Sequence, residues 1–230
     1  MRRFYQQATF TEIDGGFQVL LDAKPVRTPS KAPLVLRLAG LAGAIAAEWQ
    51  AQDQEVLPGT MPLMQLASTT IDLTARQRPE VIDQLAAYAA TDLLCYRVAN
   101  PADLVARENL IWQPLLDWAA LRFNAALLVH VGVMPCSQPE GACRALRNAI
   151  ESRDDWMLTA LQSVTTGCGS LVIGLALIEG RVSPEEAFEA SQLHENFQIE
   201  QWGADEESGR RQQALKADIM QVRRFIDLYC

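Results

Sequence analysis

The 230-residue sequence has few histidines, few lysines and no long apolar run. Its longest apolar run covers residues 171–178, far short of the roughly 20 residues that a membrane-spanning helix needs. The five cysteines are odd in number and form no close pair, which indicates a reducing compartment rather than a disulfide framework. We therefore expect a chain that does not insert into membranes and that is located in a cytoplasm or inside an organelle.

Side chains that carry chemistry are also scarce. His130 and His194 are the only histidines, and neither has a nucleophile at a recognisable motif spacing. The cysteine spacings match no zinc site, and no glycine-rich nucleotide fingerprint is present. Glu195 and Glu200 would point about 140° apart on a regular helix, so they cannot act together on one substrate. The sequence predicts no enzyme, no metal and no cofactor; a hydrolase that uses a carboxylate or Cys168 is the weaker alternative.

Acidic residues outnumber basic ones by 28 to 20, which gives a net charge of −8. Binding to nucleic acid or to anionic membranes is not expected, because both need a basic protein surface. The acid is concentrated, since residues 179–207 hold nine carboxylates and a single basic residue, Arg181. Two aromatic residues, Phe197 and Trp202, lie within this segment.

The acidic segment has two interpretations. In the first, complementary charge steers a locally basic protein to the segment and Trp202 anchors that protein. In the second, Trp202 packs in the core and the carboxylates only keep the surface soluble. Composition alone leaves both open. A general acidic adaptor, which would bind basic proteins without selectivity, is a further alternative.

The first 38 residues differ in pattern from the rest. A turn signal over residues 14–16 precedes a short strand signal over residues 17–22. Further short strands are indicated over residues 26–28 and 34–38, and residues 1–37 hold six basic and three acidic side chains. This pattern predicts a small antiparallel β unit that docks onto the helical part of the chain, because alone it would bury little apolar area.

From Ala39 onwards the apolar residues recur with the period of a helix. Leu41, Ile45 and Trp49 recur on one helix face, which assigns Trp49 to the structural core. We predict an α+β fold with a small N-terminal antiparallel β domain over residues 1–38 and a larger all-helical domain over residues 39–230. The predicted helices run over about 79–97, 107–128 with a break near Pro114, 154–178 and 206–228, and capping boxes begin two more at Ser137 and Ser183.

Five segments resemble, in order, the motifs of one family. They are residues 22–29 (DAKPVRTP, against D-G-R-P-V-R-T-P), 46–52 (AAEWQAQ, against A-A-E-W-x-x-Q), 61–72 (against M-P-L-x-x-L-A), 92–97 (DLLCYR, against D-L-L-x-Y-R) and 195–203 (against E-x-x-Q-x-E-x-W-G). The segments span nearly the full chain, and Ala23 and Lys24 are mild departures from the first motif. Together, rather than through any single motif, they resemble the α-subunit-specific assembly chaperones of the ATP synthase F₁ sector.

This resemblance implies a chaperone that binds the free F₁ α subunit, prevents its aggregation and hands it over for assembly with β. It implies a bacterial cytoplasm, or the mitochondrial matrix for a mature eukaryotic chain, and we expect the chain to act as a monomer. The acid concentration together with the motif match assigns the partner-binding region to six residues. These are Glu195, Glu200, Trp202, Asp205, Glu206 and Glu207.

Overall fold

The computed structural model describes residues 1–132, 134, 136–203 and 205–230. The chain divides into two compact units, of which the first comprises residues 1–78 together with 221–230 and the second residues 79–220. The predicted boundary after residue 38 marks the change from strands to helices along the chain. The first unit extends further, because it includes two helices as well as the sheet.

The first unit contains a four-stranded antiparallel sheet. Strand β2 (Gly16–Leu21) pairs with β1 (Ala8–Ile13) through the tight turn at residues 14–15. The same β2 also pairs with β3 (Lys24–Pro25) and β4 (Val35–Leu36). The predicted strand over 17–22 is confirmed, and the one over 34–38 is reduced to β4. The strand predicted over 26–28 is wrong, because β3 lies before it at residues 24–25 and Arg27 makes only an isolated bridge to Pro33. Strand β1 was not predicted.

Helix α1 (Ala39–Gln50) packs against this sheet. Its buried residues include Leu41 and Ile45, as the helical period predicts, and they pack towards the apolar side of β1 and β2. Helix α2 (Pro62–Thr69) follows and contacts α1. Pro62 occupies the first turn of α2, where the missing N–H of proline leaves no hydrogen bond unmade.

The second unit is built around a helix that is apolar on every side. All eight residues of α8 (Leu171–Ile178) are buried. This helix contacts α5 (Gln113–Phe123), α7 (Asp155–Cys168) and α9 (Pro184–Ser191). A helix without a polar face can only be stable when other elements surround it. In this unit the short strands β5 (Tyr96–Arg97) and β6 (His130–Val131) pair in parallel, an addition to the predicted all-helical domain.

The α+β class is confirmed, with antiparallel strands first and helices after them. No helix in the described part of the chain is both long and apolar enough to cross a bilayer. The remaining helices are α3 (Arg78–Ala87), α4 (Ala102–Ile111), α6 (Glu140–Glu151), α10 (Leu193–Trp202) and α11 (Glu206–Tyr229).

The predicted continuous helix over residues 154–178 is wrong, because the chain breaks between α7 and α8. Gly169 ends α7 with a φ of +67°, a left-handed conformation that favours glycine. Ser170 then begins α8 by accepting a hydrogen bond from the N–H of Ile173. The neighbouring Gly167 allows a close approach, since a Cβ there would lie 2.9 Å from Leu215.

The two predicted capping boxes have different outcomes. The box at Ser183 is confirmed, because Ser183 and Glu186 bond to each other's backbone N–H groups. The box at Ser137 is wrong, since α6 begins only at Glu140. The amide of Gln138 instead bonds to both backbone groups of Leu128, which holds this segment out of the helix.

Two further helices differ from the prediction. The helix predicted over 79–97 ends at Ala87 and continues as short 3₁₀ turns. The one predicted over 107–128 consists of α4 and α5, which begin at Ala102 and end at Phe123. The break before α5 lies at Trp112, close to Pro114, which agrees with the predicted effect of that proline.

Candidate partner-binding surface

The six residues predicted to bind a partner lie along α10, from Glu195 in its first turn to Trp202 at its last residue, and on into the first turn of α11. We call them the acidic surface; its members are Glu195, Glu200, Trp202, Asp205, Glu206 and Glu207. Gly203 ends α10 with a φ of +86°, a conformation that favours glycine. The sequence motif over residues 195–203 therefore corresponds to most of α10 and the glycine that ends it.

Three carboxylates of the acidic surface are ion-paired with arginines. Glu195 lies 2.9 Å from Arg211, and Glu200 lies 2.7 Å from Arg107. Glu206 pairs with Arg210 one helical turn further along α11. Ion pairs at this exposure contribute little to stability and can exchange partners, so the carboxylates remain available to another cation.

The same contacts lower the pKa values of two of these groups. The hydroxyl of Ser208, 2.7 Å from Glu195, and the Arg211 guanidinium together lower the pKa of Glu195. The hydrogen bond from Arg107 lowers the pKa of Glu200. Both carboxylates are therefore fully ionised at neutral pH.

Asp205 and Glu207 differ in their contacts. Asp205 accepts a hydrogen bond of 2.8 Å from the N–H of Ser208, so it caps the first turn of α11. Glu207 is exposed and, within the described residues, bonds to no other group. Asp205 therefore has a structural role of its own, whereas Glu207 is a solvated charge.

Trp202 is exposed over 79% of its surface, and Phe197 on the same helix is buried. The interpretation that placed Trp202 in the core is therefore wrong. An exposed tryptophan among carboxylates is unusual, because large aromatic residues are normally buried unless they contact a partner. The exposed ring and the flanking charges fit the first of the two interpretations.

The charge of the acidic segment is smaller than its sequence count indicates. Four of its nine carboxylates pair with arginines of other segments or of the next helix turn; Glu179, for example, pairs with Arg122 and Arg153. Burial acts to raise the pKa of Glu179, but hydrogen bonds from these two arginines outweigh it and lower that pKa overall. Counting acids along the chain cannot detect such compensation.

Trp49 was assigned to the structural core, and in the structure its side chain is half-buried. Its ring contacts Tyr5 edge to face at 5.7 Å, and its carbonyl accepts a hydrogen bond of 2.6 Å from the Tyr5 hydroxyl. The indole Nε1 is buried, and no described residue accepts a hydrogen bond from it. Trp49 thus packs on one side and leaves its polar atom unsatisfied.

Two other motif residues of the first unit, Glu48 and Asp72, accept hydrogen bonds that hold the backbone in place. Glu48 accepts hydrogen bonds of 2.8 and 2.9 Å from the N–H groups of Leu63 and Met64, which caps α2. Asp72 accepts bonds of 2.7 Å from the Thr28 hydroxyl and 2.9 Å from the Ser30 N–H. These contacts fix the loop of the first motif and the helix of the third.

The D-L-L-x-Y-R motif has a structural role in the second unit. Asp92 is fully buried and accepts hydrogen bonds from the Ser170 hydroxyl at 2.7 Å and from the N–H groups of Leu94 and Val172 at 3.1 Å. Burial raises the pKa of Asp92, against the effect of these bonds. The residue joins the turn after α3 to the start of α8.

The groups that an enzyme would use are held in structural contacts. Burial raises the pKa of Cys168 to about 11, so this thiol stays protonated and is a poor nucleophile. His194 lies 2.6 Å from the buried Glu108, whose carboxylate also accepts a bond from the Val98 N–H. No group of metal-ligating side chains occurs among the described residues.

Sequence reasoning missed one concave feature of the first unit. Arg27, Trp49, Met61 and Met64 line an open cavity of about 480 Å³. All four lie in or beside segments that match family motifs, and that match was the signal available in the sequence. The motifs alone could not reveal the cavity, because nothing in the sequence places the three segments side by side.

Comparison with known proteins identifies the family. Residues 2–120 match the model of the ATP12 chaperone protein family. The mitochondrial atp12 protein of Schizosaccharomyces pombe is 24% identical over 221 residues, which cover 90% of this chain and 75% of that protein. Among similar solved structures, Atp12 from Paracoccus denitrificans has 40% identity and a TM-score of 0.94. The match covers 100% of this chain and 98% of that one.

The Atu1473 protein of Agrobacterium tumefaciens is similar as well, with 37% identity and a TM-score of 0.93 over 99% of this chain and 85% of that one. The family model alone spans just over half of the 230 residues, and the structural likeness extends over the rest. The chain therefore belongs to the ATP12 chaperone family, the F₁ assembly chaperones that its motifs resemble.

Proposed function

We propose that this chain binds the free α subunit of the ATP synthase F₁ sector, prevents its aggregation and releases it for assembly with β. We further propose that the acidic surface is a contact region for that subunit. The observation that carries the second proposal is the exposure of Trp202 on a helix end flanked by carboxylates. Membership of a chaperone family supports the first.

The physical basis is the surface that an unassembled subunit exposes. Interfaces in permanent complexes are apolar, and apolar patches aggregate when they are left uncovered. A chaperone must cover such a patch and later release it, so a moderate affinity suits it. Charged groups around a single aromatic anchor give fast, steered encounter without extensive apolar burial.

The proposed setting is a bacterial cytoplasm, or the mitochondrial matrix in a eukaryote. Relatives from both kinds of organism support this, and all five cysteines are free thiols. We propose that the chain acts as a monomer, without a cofactor and without catalysis. One copy would then cover one α subunit until β replaces it.

The test is the aggregation of purified F₁ α subunit, diluted from denaturant and followed by light scattering with and without this chain. The β subunit as client, and an unrelated acidic protein in place of the chain, serve as controls. Suppression restricted to α supports the proposal. Equal suppression for α and β would indicate a general acidic adaptor instead, and no effect on α would refute the chaperone assignment for this client.

Variants then test the acidic surface. We expect Trp202→Ala and Glu207→Lys each to weaken α binding about tenfold, because an exposed anchor and a free charge are lost. The matched controls are Leu121→Ala, which truncates a side chain exposed over 89%, and Glu140→Lys, which reverses another exposed charge on α6. Equal affinity of the test variants and the controls would remove the acidic surface from the proposal.

A further inference from the structure

A groove in the first unit is built from the family motifs but has no role in the proposed function. One wall is the loop at Arg27, Thr28 and Pro29, and the other is the face of α2 that carries Met64 and Ser68. Together with Trp49 and Met61 these residues enclose about 480 Å³, within the range of ligand pockets. We call this feature the motif groove.

The motif groove is preformed, because polar contacts hold both of its walls. Asp72 binds Thr28 and Ser30 in the first wall, and Glu48 caps the helix of the second. Met61, Met64 and Ser68 are buried, while the side chains of Arg27 and Gln65 are exposed at the rim. Fixed walls around an apolar interior reduce the entropy that a binding partner must lose.

Trp49 contributes its ring to the wall of the motif groove. Its Nε1–H is buried, and no described residue accepts a hydrogen bond from it, so the ring presents apolar surface rather than a donor to the groove. Trp49 and Arg27 also line an adjoining cavity of about 210 Å³, which extends the available length.

The charge at the rim indicates the sign of the occupant. The Arg27 guanidinium donates to the carbonyl of Lys31 at 2.9 Å, and in the described part of the chain it pairs with no carboxylate. In the adjoining cavity Lys24 is accompanied by Asp22, so Arg27 is the charged side chain that sets the sign at the rim of the motif groove. The rim is thus basic, opposite in sign to the acidic surface.

We propose that the motif groove binds an extended segment of the F₁ α subunit, in which a large apolar side chain lies next to a carboxylate. The apolar side chain would fill the space between Met61, Met64 and Ser68. The carboxylate would pair with Arg27. Methionine-lined walls suit a segment of this kind, because the flexible thioether adapts to the shape of a bound side chain. This inference rests on the proposed function, since it takes α as the client.

Photo-cross-linking tests the occupant directly. A p-benzoylphenylalanine is placed at position 65, an exposed glutamine that lines the groove, and separately at position 77, an exposed glutamine of the same unit outside it. We expect irradiation with purified α to give a covalent adduct from position 65 and none from position 77. No adduct with β is expected, and equal adducts with α and β would overturn α as the occupant.

Two substitutions test the chemistry. Ser68→Leu fills the groove from within the α2 helix, and we expect it to weaken α binding about tenfold while the thermal midpoint stays at or above that of the wild type. Arg27→Glu reverses the rim charge on an exposed side chain and should weaken binding to a similar degree. The control Arg76→Glu makes the same charge change at an exposed position outside the groove.

The two proposals fail in different ways. If the unmodified chain binds α, but position 65 gives no adduct and both groove variants bind like the wild type, the groove proposal is overturned and the proposed function stands. If the unmodified chain does not bind α, both are overturned. Should Ser68→Leu fail to fold, Arg27→Glu and the cross-link still decide the outcome.

Discussion

The acidic surface and the motif groove are constructed in opposite ways. The acidic surface lies along α10 and the first turn of α11, where three of its carboxylates pair with arginines that remain in contact with water. The motif groove is concave, and the polar side chains around it bond to the backbone and hold two walls in place. The first surface can change its partners at little cost, whereas the second depends on the framework that builds it.

This difference explains why substitutions of motif residues should have different effects in the two regions. Around the groove, Glu48 and Asp72 act on backbone N–H groups, so their loss leaves donors unsatisfied. On the acidic surface, Glu195 and Glu200 contact flexible side chains that water can also bind. Substitutions should therefore cost stability in the first region and mainly binding in the second.

Among substitutions of the motif carboxylates, the largest effect on stability is expected for Glu48→Ala. This change removes the acceptors for the N–H groups of Leu63 and Met64 at the start of α2. We expect the free energy of unfolding to fall by about 1–2 kcal/mol, the usual cost of losing a helix cap. Urea unfolding measures it, with Glu55→Ala, an exposed glutamate of the same unit, as the control. If Glu48→Ala lost no more stability than Glu55→Ala, the proposed difference between the motif groove and the acidic surface would be contradicted.

A somewhat smaller effect is expected for Asp72→Ala, which frees the loop at Thr28 and Ser30 from the segment after α2. The loss of two hydrogen bonds should lower the free energy of unfolding by about 1 kcal/mol. Limited proteolysis should then cleave the loop over residues 27–32 faster than in the wild type. Unchanged cleavage would show that this bond does not hold the wall of the groove.

Glu195→Gln tests the acidic surface through the pH dependence of the free energy of unfolding. Ser208 and Arg211 lower the pKa of Glu195 below its ordinary value of 4.5. The ionised group therefore adds stability above pH 4.5, about 0.5 kcal/mol for an exposed pair, and this stability is lost as the pH falls through the lowered pKa. Unfolding of wild type and variant between pH 3 and 7 measures the difference. A constant difference across this range would contradict the assignment.

The smallest effect on stability is expected for Trp202→Ala. Because its ring is exposed over 79% of its surface, its removal should change the free energy of unfolding by no more than about 0.5 kcal/mol. Phe197→Ala, on the same helix but buried, should cost about 3 kcal/mol and serves as the reference. A large loss of stability in Trp202→Ala would mean that the ring packs against the rest of the protein and is not available to a partner.

Local signals in the sequence were reliable where a structure closes within a few residues. The capping box at Ser183, the strand over residues 17–22, the stripe of Leu41 and Ile45 and the end of the chain as one long helix are all present. Each depends on contacts between residues at most a few turns apart. The same reasoning failed at Ser137, where Gln138 bonds to the distant Leu128 instead.

The candidate surfaces show the same division. Sequence identified the motifs and the family, and it placed Trp202 among carboxylates. It could not show that Arg107 and Arg211 neutralise Glu200 and Glu195, nor that Trp49 would be only half-buried. Ion pairing and burial both depend on which surfaces meet after folding.

The sequence by itself determined the class of fold, the placement of a strand-rich segment before the helices, and the family to which the chain belongs. The tertiary structure alone decided that α7 and α8 separate at Gly169, that four of the nine carboxylates of the acidic segment are paired with arginines, and that three motif segments enclose a groove lined by Trp49. The reason is physical. Backbone propensity and capping act over a few residues, whereas charge compensation, burial and cavities arise between segments that only the folded chain brings together.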